Sequence, residues 1–477
     1  MEGDPNILST VILFLWVPVS LWGLRRWPPA KATAIVFLTG LLFLPEVVAF
    51  KVPGIPEFDK HSILALWLMI GIALFHRERL RSVSFPWQFK WCIAFLLLGC
   101  VMTVLLNQDP LQYGSSYVPG HVPYDVVHFT IEALLMSVLP FVIGITMFRG
   151  GEDLRALLRM FVVAAVLYSG LQIVEMILSP QMHRWVYGFH QHGFGQTMRG
   201  GGFRPMVFMG HGIALAMFTS MAVVAATALH KVDAKFGQVR ARWVAGYLWF
   251  ILAVSRSVAA LLYSFVTVPL VLLTSPRTQV AVAAALAGAL MLYPALRASD
   301  LIPIAKINEI VLESYGHEKV GSLGVRFKNE AQMLDKAKER LAFGWGGYCR
   351  PCVYEPWSGE LQSVRDGAWI IALGDQGLVG FVGRFGLLVF PIFVLFRRIR
   401  SVPGNANRRL LAALALMIGI AAFDLIPNGT FNALALLCSG AMYGSMVGVF
   451  REAAVTRQQR RTARLEAARR MGEVPAS

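Results

Sequence analysis

At 477 residues the chain is long enough for two or three soluble domains, but 56% hydrophobic residues, 15% charged residues and a mean hydropathy of +0.57 exclude that class. The formal net charge of +16 would point to nucleic acid in a soluble chain. In a chain this apolar, basic residues set membrane orientation, and no nucleic-acid partner is expected.

The composition predicts an all-α polytopic integral membrane protein. The start, Met1-Glu2-Gly3-Asp4-Pro5-Asn6, lacks the positive n-region of a cleavable signal peptide, so the first apolar run is expected to remain as a span. A helix needs roughly 20 residues to cross a bilayer, and on that measure the chain holds about 13 transmembrane helices, several of them short. The expected cores are 7–24, 32–50, 62–75, 87–106, 128–148, 156–178, 205–229, 243–254, 258–274, 278–296, 377–396, 410–426 and 431–450. Only Ser255-Arg256-Ser257 separates the eighth from the ninth, so a single long helix competes with two short ones there.

With alternate loops assigned to opposite sides, one side carries 26 Lys and Arg and the short loops of the other carry six. That asymmetry predicts an outside N-terminus and an inside C-terminus, with seven arginines of residues 451–470 in a basic cytoplasmic tail near anionic lipid. The outer face then receives loops 51–61, 107–127 and 179–204, the Ser255-Arg256-Ser257 turn, and a polar excursion over 298–368. The expected divisions are an N-terminal bundle (1–297), one large periplasmic loop (298–376), C-terminal spans (377–450) and the tail (451–477).

Within the loop, Phe327, Ala331, Leu334, Ala337 and Leu341 recur at helical spacing and predict an amphipathic helix over the membrane surface, stopped at Gly344-Trp345-Gly346-Gly347. Cys349-Arg350-Pro351-Cys352 can close a local disulfide in an oxidising compartment, whereas Cys92, Cys100 and Cys438 lie in apolar runs as small core residues. Gly374, Gly377, Gly380, Gly383 and Gly386 recur every third residue, which predicts close helix packing. Arg384 in this stretch must snorkel or pair inside the bundle.

Two places put arginine at the edge of an apolar run, where an unpaired guanidinium is costly. In Gly200-Gly201-Gly202-Phe203-Arg204-Pro205, glycines let backbone approach a ligand and Arg204 can fork onto phosphate oxygens; Gly210-His211 is expected about two turns inside the following span. Arg256, between two apolar runs, is a second anion contact. Farther on come Arg326, Gly344-Trp345-Gly346, Asp366-Gly367-Ala368-Trp369 and Gly377-Leu378-Val379-Gly380.

The order and spacing of these pieces, from about Gly200 to Gly380, resembles the bacterial O-antigen ligase and Wzy-type polysaccharide polymerase family. These are membrane glycosyltransferases that use undecaprenyl-diphosphate-linked glycans. The resemblance implies a GT-C-like membrane architecture in the bacterial inner membrane with a periplasmic active site. It also implies Arg204, Arg256 and Arg326 as diphosphate-binding residues and a glycan or lipid acceptor. A polymerase is the first expectation, with a chain-length regulator among the partners; O-antigen ligase to lipid A core is the alternative. Many members place a His before the Gly-Leu-x-Gly span where this chain has Asp366, which becomes the candidate base, with His211 in reserve. No metal or other cofactor is expected. Two further readings compete: a metal-dependent transferase using Glu57-Phe58-Asp59, and a transporter or flippase coupled through Glu46, Glu132, Glu175 and Asp424. His190-Gln191-His192 lacks a third ligand and reads as a polar loop.

Overall fold

The computed structural model describes residues 3–50, 57–303, 306, 317–431 and 433–470 and is mostly helical, with three two-stranded hairpins. Loop residues 51–56, which carry part of the first outer loop, lie outside the described residues, as do 307–316 of the excursion. Among the described residues nine helices are long and apolar enough to cross a membrane. They are α1 (Ile7–Arg26), α5 (Trp87–Leu105), α6 (Asp125–Met147), α7 (Gly151–Leu178), α9 (Gly212–His230), α12 (Pro276–Ala298), α14 (Ala368–Arg398), α15 (Asn405–Asp424) and α16 (Ala433–Arg470). Four shorter apolar helices complete the series: α2 (Pro29–Phe43), α3 (Lys60–Phe75), α10 (Ala241–Val254) and α11 (Val258–Leu273). The remaining helices are α4 (Arg77–Arg81), α8 (Met182–Tyr187) and α13 (His317–Glu339).

Local chemistry sets several starts and stops. Asn6, Asp59 and Ser275 accept hydrogen bonds from the backbone N–H groups of Ser9, Ser62 and Thr278, and so cap α1, α3 and α12. Helix α2 ends at Phe43, short of the expected 50, because Pro45 holds Leu44 in extended backbone. Ser255-Arg256-Ser257 breaks the chain between α10 and α11, with Arg256 at φ +58°, so the two-helix reading holds.

Helices α9, α15 and α16 are the most buried and form the centre, while α1 lies at the periphery. Alternate loops gather at two opposite ends. At one end Asn6 bonds Tyr187, Arg340 pairs with Asp109, hairpin β1 (Leu111–Tyr113)–β2 (Ser116–Val118) meets Ser358 and Gly359, and Ala368 bonds Leu425. At the other, Arg79 bonds Met147, Arg149 bonds Ser82 and Arg409 bonds Lys231.

Helix α14 starts at Ala368, before the expected 377, and breaks at Gly377 (φ 62°, ψ −167°). The Gly344-Trp345-Gly346 loop repairs that break. Trp345 and Gly346 donate backbone N–H to Gly374 and Asp375, while Leu378 and Val379 donate to Leu341 and Ala342, at 2.7–3.1 Å. A Cβ on Gly377 would sit 2.4 Å from Ala342 and Phe343 backbone, so no larger residue fits. Farther along α14, a Cβ on Gly383 would meet Leu96 N at 2.5 Å, and one on Gly386 would meet Cys92 Sγ at 2.7 Å. The glycine series thus lets α14 and α5 approach closely. Arg384 lies over the Phe431 ring, 5.7 Å from its centre. Helix α13 packs on α14 through buried Met333, Leu334 and Ala337, and Cys349 and Cys352 are disulfide-bonded.

Candidate functional site

The seventh apolar run is not a helix from 205. Residues 205–211 cross the interior as an irregular segment, and α9 starts only at Gly212. Inside an apolar bundle its backbone must find partners within the protein. Met206 and Val207 donate N–H to Glu175 at 2.8 and 2.7 Å, Phe208 to the Tyr168 hydroxyl at 3.0 Å, and Gly210 to Glu46 at 2.8 Å. Gln191 donates to the carbonyls of Val207 and Met209, and Lys60, itself ion-paired with Glu46, donates to those of Leu41 and Phe208. Two of the four acids considered for ion coupling, Glu46 and Glu175, are therefore backbone anchors. Glu132 lies within electrostatic reach of Asp375, and Asp424 belongs to the cleft described next.

Ahead of this segment, β3 (Met198–Arg199) and β4 (Gly202–Phe203) form a hairpin with Gly200 and Gly201 at its tip, both at positive φ. Two-residue hairpin turns of this hand favour glycine at both central positions. Gly202 leaves room of another kind: a Cβ there would meet the Arg256 guanidinium at 2.5–2.7 Å. The glycine run thus builds the hairpin and seats Arg256, which donates to the carbonyls of Arg199 and Gly200. Arg204 in turn donates to the Arg256 carbonyl at 3.4 Å.

Arg199, Arg204, Arg256 and Arg326 line one cleft of about 480 Å³, with Asp424 and Asn428 on its wall. The three arginines expected to bind diphosphate, drawn from three separate segments, are thus brought together. Among the described residues, Arg199, Arg204 and Arg256 have no carboxylate partner, and Nε and Nη1 of Arg204 are buried without any acceptor. Burial and the neighbouring Arg199 charge push the Arg204 guanidinium below its usual value. Buried donors without an acceptor are costly, and guanidinium groups form their strongest hydrogen bonds with anionic oxygens.

Arg326 reaches Asp366, Nε to Oδ2 at 3.6 Å, so the candidate base stands at the cleft's edge. His211 is not two turns inside a helix; it is the N-cap of α9, where Nδ1 accepts the Ile213 N–H at 3.0 Å. Burial, then His192, Arg204 and Arg199, push its pKa down to about 4. With Nδ1 accepting that N–H, the neutral ring carries its proton on Nε2, and taking a second proton would break the cap. Asp424 is held by the Tyr263 hydroxyl (3.2 Å) and the Asn428 amide (3.0 Å). Its place at the end of an apolar run was the signal available in the sequence; its partners were not.

The cleft continues toward an apolar niche that shares Met217 and Asp424 and adds Phe218, Met221 and Leu434. Its lip includes Val258, 70% exposed, on a face of α11 that also exposes Leu262, Phe265 and Val266. Elsewhere, Asp59 caps α3 through Ser62, and His190 bonds the carbonyls of Pro180 and His192. No protein-family model matches the chain, and no curated protein matches it.

Proposed function

We propose that this protein is a membrane glycosyltransferase that transfers or polymerises a lipid-diphosphate-linked oligosaccharide at the arginine cleft. The observation that carries the reading is the convergence of Arg199, Arg204, Arg256 and Arg326 on one cleft whose lip is apolar. An anionic headgroup on a long lipid answers both features. In this reading all thirteen apolar helices cross a bacterial inner membrane and the cleft faces the periplasm. The count of 26 basic residues against six supports that orientation.

In the reaction, an acceptor-sugar hydroxyl attacks the anomeric carbon of the donor. The bond from that carbon to the diphosphate oxygen breaks, and its electron pair leaves with the diphosphate. Arg204 and Arg256 stabilise the charge developing on the leaving group, which replaces what a metal would otherwise supply. Asp366 takes the hydroxyl proton. Arg326 turns from Asp366 to the incoming diphosphate, so donor binding releases the base.

A deletion strain supplies the first test: single lipid-linked repeats accumulate if the protein is a polymerase, and full-length unligated polymer accumulates if it is a ligase to lipid A core. An unchanged glycan profile refutes both. Lipid-linked glycan from that strain, supplied to the purified protein in proteoliposomes, should be consumed equally in EDTA. Activity that vanishes on chelation and returns with magnesium transfers the diphosphate charge to a metal held by Glu57 and Asp59.

A further inference from the structure

At the end of the bundle opposite the arginine cleft lies a second cavity, of about 320 Å³. Its polar wall combines Ser82 from the loop after α4, Arg149 from the turn between α6 and α7, Arg398 from the end of α14, and Tyr443 and Arg451 from α16. Arg149 is fixed in place: its guanidinium donates to Ser82 Oγ at 2.7 Å and to the Arg79 carbonyl, and its backbone N–H donates to Asp153 at 2.9 Å. Helix α16 presses on this turn, since a Cβ on Gly444 or Gly448 would lie 2.5 or 2.0 Å from the carbonyls of Phe148 or Arg149. That packing brings Arg451 near Arg149; burial, then the Arg79 and Arg451 charges, push the Arg149 pKa below its usual value against the opposing pull of Asp153.

The acids nearby are already engaged. Asp153 faces Arg79 at 3.6 Å, Glu152 faces Arg155 at 3.9 Å, and Glu452 accepts the Gly151 backbone N–H. Arg398 and Arg451 pair with no carboxylate among the described residues. The cavity is therefore positive; Ser82, whose hydroxyl donates to the Glu78 carbonyl at 2.8 Å, serves to hold Arg149, Tyr443 stands on the wall, and Val447, exposed, gives the rim an apolar patch. Trp87 and Trp91, which follow the lining residue Pro86, are exposed on α5, as indole rings are at the level of lipid headgroups.

We propose that this cavity binds a phosphate group, and specifically the phosphodiester headgroup of an anionic phospholipid. Orientation by basic residues requires only that charges lie on one side. It does not require arginines of three separate segments to face one cavity with a serine and a tyrosine. Basic pockets between membrane helices are suited to lipid headgroups, and each arginine there contributes about 1 kcal/mol. The assignment does not depend on glycan chemistry.

The full-length protein, purified in neutral detergent and delipidated, is titrated with phosphatidylglycerol, phosphatidylcholine or inorganic phosphate. Thermal melting and native mass spectrometry read the binding. Phosphatidylglycerol should raise the melting temperature and remain bound, with neither effect from the other two. The double variant Arg398→Ala/Arg451→Ala, which removes two exposed side chains, should keep the lipid-free melting temperature and bind phosphatidylglycerol about 30-fold more weakly. Val447→Trp, which obstructs the rim and leaves every charge, should also weaken binding. Wild-type affinity in both variants, or an equal response to phosphatidylcholine, overturns the site. Stabilisation by inorganic phosphate equal to that by phosphatidylglycerol overturns the lipid assignment in favour of a soluble anion.

Discussion

Gly202→Ala tests the cleft without deleting a charge. The added Cβ would lie 2.5 Å from Nη2, 2.6 Å from Cζ and 2.7 Å from Nε of Arg256, all at the far end of a flexible side chain. Gly202 is not at positive φ, so alanine fits the backbone and the guanidinium is what must move. Arg256 then loses its bonds to the Arg199 and Gly200 carbonyls and its aim into the cleft. A lost charge-assisted contact at a reacting centre costs on the order of 2–4 kcal/mol, or about 30-fold to 1000-fold in turnover. Turnover of lipid-linked glycan in proteoliposomes should fall within that range, with the melting temperature held within about 3 °C. Gly195→Ala, with open space around its Cβ, is the control and should be unchanged. Wild-type turnover in Gly202→Ala, with a crystal or cryo-EM structure showing Arg256 displaced, would refute a role for Arg256 in the chemistry.

Arg204→Lys and Arg256→Lys keep the charge but lose the fork, so neither should restore glycan synthesis in cells at matched protein levels; normal glycan in both would make them interfacial anchors. Asp366→Asn frees Arg326 from its ion pair, so donor affinity should hold or rise while turnover falls by about 100-fold; if it turns over normally while Asp424→Asn is inactive, the base is Asp424. His211 has a folded pKa of about 4 against an ordinary 6.5, so the folded chain binds fewer protons than the unfolded one between those values. Its contribution to stability is full above pH 6.5 and is lost as pH falls toward 4, and His211→Asn, which can still cap α9, should show a smaller drop in melting temperature between pH 7 and 5 than the wild type. Single cysteines from Ser322→Cys and Ser401→Cys should react with an impermeant thiol reagent in intact cells at the first position only; reaction at the second reverses the orientation.

The helical character and the positions of the apolar runs were legible because burial in an apolar medium demands long hydrophobic segments, and that demand is local in sequence. The convergence of Arg204, Arg256 and Arg326 was legible only as a resemblance of order and spacing. What brings Arg204 and Arg256 together is a hairpin, a positive-φ turn and the space left by Gly202, three features that hydropathy does not record, while Arg326 arrives on α13. Asp366 illustrates the limit differently. Its place in the sequence marked it, but its ion pair with Arg326 depends on how α13 packs against α14.

In the irregular segment 205–211 hydropathy and structure part. Pro205 to Gly210 is apolar enough to pass for the start of a span, and averaging over a window cannot see a backbone held by Glu46, Lys60, Tyr168, Glu175 and Gln191. Yet the clue was present, because charged residues within apolar runs are costly unless something nearby needs them. For Glu46 and Glu175 what needs them is unpaired backbone, not a coupled ion. By holding that segment out of the helix, they set Arg204 at its start and His211 at its end, beside the same cleft. The acids and the arginines are therefore parts of one arrangement, in which buried side chains distant in sequence fix an irregular segment so that the Arg204 guanidinium lines the cleft.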